Sequence, residues 1–173
     1  MVDIDKLVKE AVAAIKEHDR AGNTVTPSKK KIDFISLKDA KLICARVEEK
    51  AREMGVNAVV AVSNSGARPV LVSAMDDSYI ASYDVALNKA YTVVSLKMPT
   101  KELKKLSQPG ESLYGIQFTN GGQIVIFGGG VPLSQNGKVI GGLGVSGGTE
   151  EQDTYLADYG KMVFDKIIEE LNK

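Results

Sequence analysis

A glycine-rich stretch in the second half of this 173-residue chain most limits the folds open to it. Thirteen of the 17 glycines lie in residues 110–148, where they flank two apolar runs, 124–127 and 139–145. Between the runs stands Asn136-Gly137, a dipeptide typical of two-residue β-hairpin turns, because both central positions need a positive φ. The stretch therefore predicts strands connected by tight turns.

The glycine-rich stretch ends at a helix start. Ser146-Gly147-Gly148 runs into Thr149, and Gln152 three residues later completes a capping box. A glycine turn followed by a helix N-terminus leaves backbone N–H groups that can bind an anion. We therefore expect a candidate anion site here. The alternative is that these glycines serve only tight turns and close sheet packing.

The remaining elements complete an α+β pattern. Ser36 and Asp39 form a second, acidic capping box, and Gly55 is the expected end of the helix that it opens. Two closely joined apolar strands follow, which should pair antiparallel. Further helices are predicted at 78–98, 100–107 and 150–172. Together with three strands in the glycine-rich stretch, the pattern indicates one five-stranded antiparallel sheet with helices packed on it.

The helix predicted at 78–98 is apolar on two faces. We expect the sheet to be covered by one stripe, formed by Ile80, Tyr83, Leu87, Ala90, Tyr91 and Val94. The second face carries Lys89 and Thr92 beside Val93, and it predicts contact with another layer or a second protomer. A lysine there must extend to solvent, pair with a charge or meet a ligand.

The first 35 residues form a separate module. Residues 1–18 contain an amphipathic helix at 3–18, whose apolar stripe needs a partner because an isolated helix of this length is marginal in water. Residues 19–31 are polar and include Gly22, Pro27 and three consecutive lysines, a composition typical of a linker, which we place at 19–35. The main domain is therefore predicted at 36–173.

Composition excludes several functions. A formal net charge of zero gives no general field for nucleic acid or membrane surfaces, and no apolar run is long enough for a membrane span. The single cysteine, Cys44, excludes an internal disulfide and is expected to be an inert core residue in a reducing cytoplasm. The single histidine, His18, leaves residues 19–173 without a Ser-His-Asp triad or a histidine-rich metal site.

Four motifs in residues 36–172 carry a family resemblance: ALNKAYT at 86–92, QPG with LYG at 108–115, GGGVPL at 128–133 and GVSGGTEEQD at 144–153. The chain resembles the GlcG/HbpS family, which includes the C-terminal domain of PduO proteins. The resemblance implies a profilin-like fold with a five-stranded antiparallel sheet, frequent oligomers, and haem or corrinoid-related ligands for some members. Asn64-Ser65-Gly66-Ala67 departs from the family's usual Asp-x-Gly-Gly turn and removes its carboxylate.

The resemblance leads to the hypothesis of an accessory protein that binds haem or a corrinoid-related cofactor. We expect a cleft lined by Lys89, Thr92, Tyr114 and the loop formed by Gly128, Gly129 and Gly130. Lys89 would pair with an acidic group of the ligand. His18 would supply the only imidazole for haem iron, and tyrosine, methionine or Cys44 are the other candidates.

Two alternative functions stay open. One is a structural homo-oligomer without a ligand. The other is an enzyme acting on a small anionic metabolite, with Lys89 as an electrostatic or basic group and Tyr91 or Tyr114 as proton donor.

The helix at 3–18 is similar to the encapsulation peptides that direct cargo into bacterial microcompartments. Its apolar stripe fits docking into a groove of a shell or cargo protein. The alternative is that this helix packs on its own domain or on a neighbouring protomer.

Overall fold

The computed structural model describes residues 34–171, together with residues 9 and 13. The elements are α1 (Leu37–Glu53), β1 (Val59–Asn64), β2 (Pro69–Ala74), α2 (Ile80–Leu96), α3 (Thr100–Leu106), β3 (Gly130–Gln135), β4 (Lys138–Ser146) and α4 (Glu150–Leu171). Two short 3₁₀ turns, Ile116–Phe118 and Asn120–Gly122, precede β3. The helix predicted at 3–18, His18 and nearly all of the linker lie outside these residues, so the division into module, linker and domain stays a prediction.

The described strands form one antiparallel sheet in the order β2-β1-β4-β3. Alternate residues of β1 face opposite layers, as strand geometry requires. Val60 and Val62 join the main core under α1 and α4, whereas Val59 and Ala61 pack with Ala86 of α2 on the other face. The sheet thus lies between two helical layers, and the predicted α+β class is confirmed. Within residues 34–171, no helix is long and apolar enough to cross a membrane.

Local signals in the sequence place several boundaries correctly. Ser36 caps α1 in a reciprocal capping box with Asp39, and Thr149 and Gln152 form the corresponding box before α4. The β3–β4 hairpin turns at Asn136 and Gly137, whose φ angles of 52° and 76° are both positive. The predicted caps and hairpin turn are therefore present.

The strand predicted at 124–127 is absent from the described sheet, which has four strands where five were expected. Ile124 and Val125 are buried, but their segment joins no ladder. Instead, the Val125 N–H donates to the side-chain oxygen of Thr92 at 3.0 Å. A helix side chain therefore satisfies a backbone group that a neighbouring strand would otherwise bind.

The predicted sheet-facing stripe of α2 is correct at Ala90 and Val94, which are buried against Gly142, and wrong at its first two residues. Ile80 is 95% exposed and Tyr83 is 49% exposed, whereas Ala86 and Ala90 are fully buried. The reason is the glycine content of β4, because a Cβ built on Gly144 would meet the Ala86 carbonyl oxygen and lie 2.6 Å from the Ala90 nitrogen. Backbone lies against backbone at this contact, so only small side chains of α2 fit there.

Candidate functional site

The amine of Lys89 lies inside the domain. Its side chain has no solvent exposure, and Nζ donates to Asp153 Oδ2 at 2.8 Å and to the Val145 carbonyl oxygen at 2.7 Å. Nζ also lies 4.9 Å from the centroid of the Phe127 ring. Carboxylate, carbonyl and ring face together match the three N–H groups of an ammonium. Of the three roles open to this lysine, the structure shows pairing, with Asp153 of α4 as partner.

Burial has the largest influence on the protonation of this pair. It lowers the pKa of Lys89 and raises the pKa of Asp153, while the attraction and hydrogen bond between the two groups act against both shifts. The amides of Gly147 and Gly148 also favour the Asp153 carboxylate. Each charge would be strongly unfavourable at this depth without the other.

Gly129 lies directly against the ion pair. Its φ is +104°, and a Cβ there would lie 2.6 Å from Lys89 Nζ and 2.7 Å from the Val145 carbonyl oxygen. The group that lies against the glycine loop is therefore the protein's own lysine. Gly129 is needed because any side chain would displace Lys89 from Asp153.

The N–H groups of the glycine-rich stretch bind side chains of the same chain. Gly128 donates to Glu150 Oε1 and Gly130 to Thr100 Oγ1, each at 2.9 Å. The second oxygen of Glu150 accepts from Lys104 Nζ at 2.6 Å, and this bond, followed by that of Gly128, lowers the pKa of Glu150.

The expected anion site at the start of α4 is also occupied internally. The Gly148 N–H donates to Asp153 Oδ1 and the Thr149 N–H to Gln152 Oε1, each at 2.9 Å. These are the donors that the sequence offered to an external anion. The helix N-terminus therefore stabilises the protein's own carboxylate.

Thr92 connects α2 to the segment before β3. Its hydroxyl donates to the Asn88 carbonyl oxygen at 2.7 Å and accepts from the Val125 N–H at 3.0 Å. The Gln123 carbonyl oxygen lies 3.3 Å from the same hydroxyl. Lys89 and Thr92 thus both contact the segment 123–127, Lys89 at Phe127 and Thr92 at Gln123 and Val125.

Three exposed aromatic side chains lie in the same part of the chain, within residues 114–127. Tyr114 is 65% exposed, Phe118 is 83% exposed and Phe127 is 39% exposed. Among the predicted site residues that the structure describes, Tyr114 alone has an exposed side chain. We refer to Tyr114, Phe118 and Phe127 as the aromatic segment.

Sequence reasoning missed Asp153 and the two phenylalanines of the aromatic segment. Asp153 follows the capping box by one residue, and the acidic start of α4 was interpreted only as helix capping. One signal was available: a lysine on an apolar helix face needs a carboxylate partner when it is buried. Phe118 and Phe127 carry no sequence signal that separates them from core phenylalanines.

Cys44 is buried against the sheet, and burial, aided by nearby Glu48, raises its thiol pKa to about 12. A thiol with this pKa is protonated at neutral pH and unreactive. Within the part of the chain that the structure describes, no group of three or more histidine, cysteine, aspartate or glutamate side chains could hold a metal ion. His18 lies outside those residues.

The fold and the site define a three-layer α+β domain whose glycine-rich loop closes around a buried ion pair. A sequence model of the family described as haem degrading protein HbpS-like matches residues 35–161. The chain therefore belongs to the HbpS-like family, as the sequence motifs predicted.

Two relatives illustrate the extent of the similarity. An uncharacterized 15.0 kDa protein in the dhaT-dhaS intergenic region of Citrobacter freundii is 48% identical over 136 residues, which cover 79% of this chain and 96% of that protein. The corrinoid adenosyltransferase PduO of Salmonella typhimurium is 37% identical over 123 residues, covering 71% of this chain. The match spans only 37% of the length of PduO.

Solved structures agree with this assignment. Klebsiella pneumoniae protein ORFY superimposes with a TM-score of 0.76 and 42% identity, over 82% of this chain and 98% of ORFY. The complex of PduOC with haem superimposes with a TM-score of 0.73 and 35% identity, over 75% of this chain and 94% of PduOC.

Proposed function

We propose that this protein binds a tetrapyrrole, haem or a corrinoid-related cofactor, against the aromatic segment. The observation that carries the proposal is the exposure of Tyr114, Phe118 and Phe127 within one short stretch of a family member. Concentrated exposed apolar side chains are typical of ligand and partner sites. The similarity to PduOC, whose structure contains haem, supports a planar apolar ligand.

The buried residues support this surface from behind. Lys89 contacts one face of the Phe127 ring, and Thr92 binds the backbone at Val125. Gly128, Gly129 and Gly130 allow the loop to close on Lys89, Glu150 and Thr100. In this proposal Lys89, Thr92 and the glycines position the aromatic segment, and Tyr114 contacts the ligand together with the phenylalanines. A rigid preformed surface costs less conformational entropy on binding than a mobile one.

The proposal is tested by titrating the full chain with haemin and following the absorbance near 400 nm. Phe118→Ala is expected to weaken haemin affinity about tenfold, because roughly 1.5 kcal/mol or more of apolar burial is lost. Phe34→Ala is the matched control, since Phe34 is also exposed, at 63%, but lies outside the aromatic segment. Equal affinities for the two variants would contradict the proposed site.

If the bound ligand is haem, one residue of the chain must bind the haem iron. His18 is the only imidazole in the chain, and Tyr114 is the exposed tyrosine of the aromatic segment. We expect His18→Ala to abolish an imidazole-type haem spectrum while the melting temperature stays unchanged. An unaltered spectrum would instead assign the ligand to tyrosine or methionine, because Cys44 is buried.

A structural homo-oligomer is the second candidate, and the outer face of α2 favours it. Tyr79, Ile80 and Tyr83 are exposed in succession where the helix begins. An apolar helix face of this kind is typical of a surface that another protomer covers. A strict monomer in sedimentation experiments at micromolar concentration would remove this candidate.

The enzyme hypothesis loses its proposed base, because the Lys89 amine has partners inside the protein.

We also propose that residues 3–18 target the protein to a bacterial microcompartment. The support is the amphipathic pattern of this segment and its similarity to encapsulation peptides. Leu7→Glu combined with Val12→Glu is expected to abolish recruitment of a fused reporter, because the apolar stripe would no longer be buried on a shell or cargo protein. The melting temperature of the domain should not change. A fall of several degrees would show that the helix packs on its own domain instead.

A further inference from the structure

A concave site lies where four parts of the chain meet, and none of its lining residues belongs to the aromatic segment. This cleft has a volume of about 510 Å³ and is bounded by the turn after α1, the turn before α2, the end of β4 and the first turn of α4. The side chains at its wall are those of Asn57, Asp77, Tyr79, Thr149 and Gln152. Its size falls in the range typical of small-molecule sites.

Two glycines of the cleft wall, Gly147 and Gly148, are held by contacts inside the domain. Gly147 packs closely on the segment that precedes β1. A Cβ built on Gly147 would lie 2.5 Å from the Asn57 carbonyl oxygen. Gly148 is fixed by Asp153, which the buried Lys89 holds in turn. A shape preserved by such contacts is present before any ligand arrives.

The charges at the wall argue against an anionic ligand. Among residues 34–171, Asp77 is the only carboxylate that lines the cleft, and no lysine or arginine of this part of the chain does so. The nearby N–H groups of Gly148 and Thr149 already bind Asp153 and Gln152. A phosphate or carboxylate would therefore meet a carboxylate without finding a cationic side chain or a free N–H group of Gly148 or Thr149.

The remaining polar groups suit hydroxyl groups. Within residues 34–171, neither the Asn57 nor the Asp77 side chain has a hydrogen-bond partner, and the Gln152 amide nitrogen is available while its oxygen accepts from Thr149. A carboxylate accepts two hydroxyl donors, and the amides both donate and accept. The Tyr79 ring, in a residue that is 73% exposed, offers an apolar face beside them.

We infer that this cleft binds a small, neutral, polyhydroxylated molecule of the size of a monosaccharide or a sugar alcohol. Asp77 and Asn57 bind its hydroxyl groups, and Tyr79 contacts its C–H face. This site is separate from the aromatic segment, and the inference does not depend on the proposed tetrapyrrole.

The test is an amide NMR titration of the full chain with D-glucose, D-mannitol, glucose 6-phosphate and choline. We expect at least one of the two neutral polyols to give saturable shifts at Asn57, Asp77 and Thr149 at about 10 mM or below. Glucose 6-phosphate should bind about tenfold more weakly than glucose, because of Asp77. Choline, a cation without a hydroxyl array, should produce no saturable shifts there.

The Asp77→Asn variant distinguishes specific polyol binding in the cleft from weak nonspecific binding to the protein surface. Asparagine tolerates the positive φ of 61° at this position, so the turn should persist. The variant should weaken polyol affinity about tenfold, whereas the matched control Asp76→Asn, an exposed neighbour outside the cleft, should not. Absence of saturable binding by both polyols, or equal binding by both variants, would overturn the site. Preferential binding of choline or glucose 6-phosphate would overturn the ligand class.

Discussion

A Lys89→Met variant is expected to lose about 3 to 5 kcal/mol in the free energy of unfolding, because Asp153 would remain as an unpaired buried charge. Methionine is similar to lysine in length, so the loss reflects the charge rather than a large cavity. Urea unfolding followed by circular dichroism measures the difference. Lys101→Met is the matched control, since the Lys101–Asp158 pair joins exposed side chains at 2.9 Å. That control should cost at most about 1 kcal/mol.

A second substitution tests whether the Lys89→Met loss arises from the ion pair. Asp153→Asn removes the negative charge but keeps an oxygen that can accept from the Gly148 N–H. The double variant Lys89→Met/Asp153→Asn should therefore recover about half of the stability lost by Lys89→Met alone, since no unpaired charge remains. A Lys89→Met variant as stable as Lys101→Met would contradict the buried position of the amine.

Gly144→Ala is expected to destabilise the domain by at least about 3 kcal/mol, because the added methyl group would meet the backbone of α2. The nearest atoms are the Ala86 carbonyl oxygen and, at 2.6 Å, the Ala90 nitrogen. Side chains can rotate away from a new methyl group, whereas a helix backbone can move only as a unit. Thermal and urea unfolding should both detect the loss.

Gly137→Ala is the control for the Gly144→Ala prediction. Gly137 has a positive φ of 76°, but a Cβ there would meet nothing within 4 Å. It should therefore cost only about 1 to 2 kcal/mol of backbone strain. Gly129 has both a positive φ and close neighbouring atoms, so Gly129→Val should also impair folding. Equal stabilities for the Gly144 and Gly137 variants would show that helix and strand backbones do not touch.

The parts of the fold that sequence predicted well are those fixed by local chemistry. Ser36 and Thr149 are followed three residues later by side chains that complete capping boxes, and Asn136-Gly137 tolerates two positive φ angles. These signals depend on a few neighbouring residues and need no knowledge of the tertiary structure. The family motifs then indicated the arrangement of the elements.

The incorrect predictions concern contacts between distant parts of the chain. A hydrophobic stripe predicted that Ile80 and Tyr83 of α2 face the sheet, but the sheet surface at Gly142 and Gly144 accepts only small residues. The strand predicted at 124–127 had the right apolar character, yet its Val125 N–H bonds to the Thr92 hydroxyl and not to a neighbouring strand. Periodicity in one segment does not reveal the shape of the surface against which it packs.

The sequence associated Lys89 with the glycine loop but did not identify the group that the lysine binds. Lys89 and the Gly129 loop do meet, but they meet each other and Asp153, which lies 64 residues further along the chain. A buried charge signals that a partner is required without identifying it. Tyr114 was selected from the family motif, whereas Phe118 and Phe127 become evident only from their exposure.

The most direct test of tetrapyrrole binding at the aromatic segment is an amide NMR titration with gallium protoporphyrin IX, a diamagnetic analogue of haemin. We predict saturable amide shifts concentrated in residues 113–127, with the amides of the cleft near Asp77 unaffected. Shifts spread evenly over the surface, shifts confined to the cleft, or no saturable shifts would contradict it.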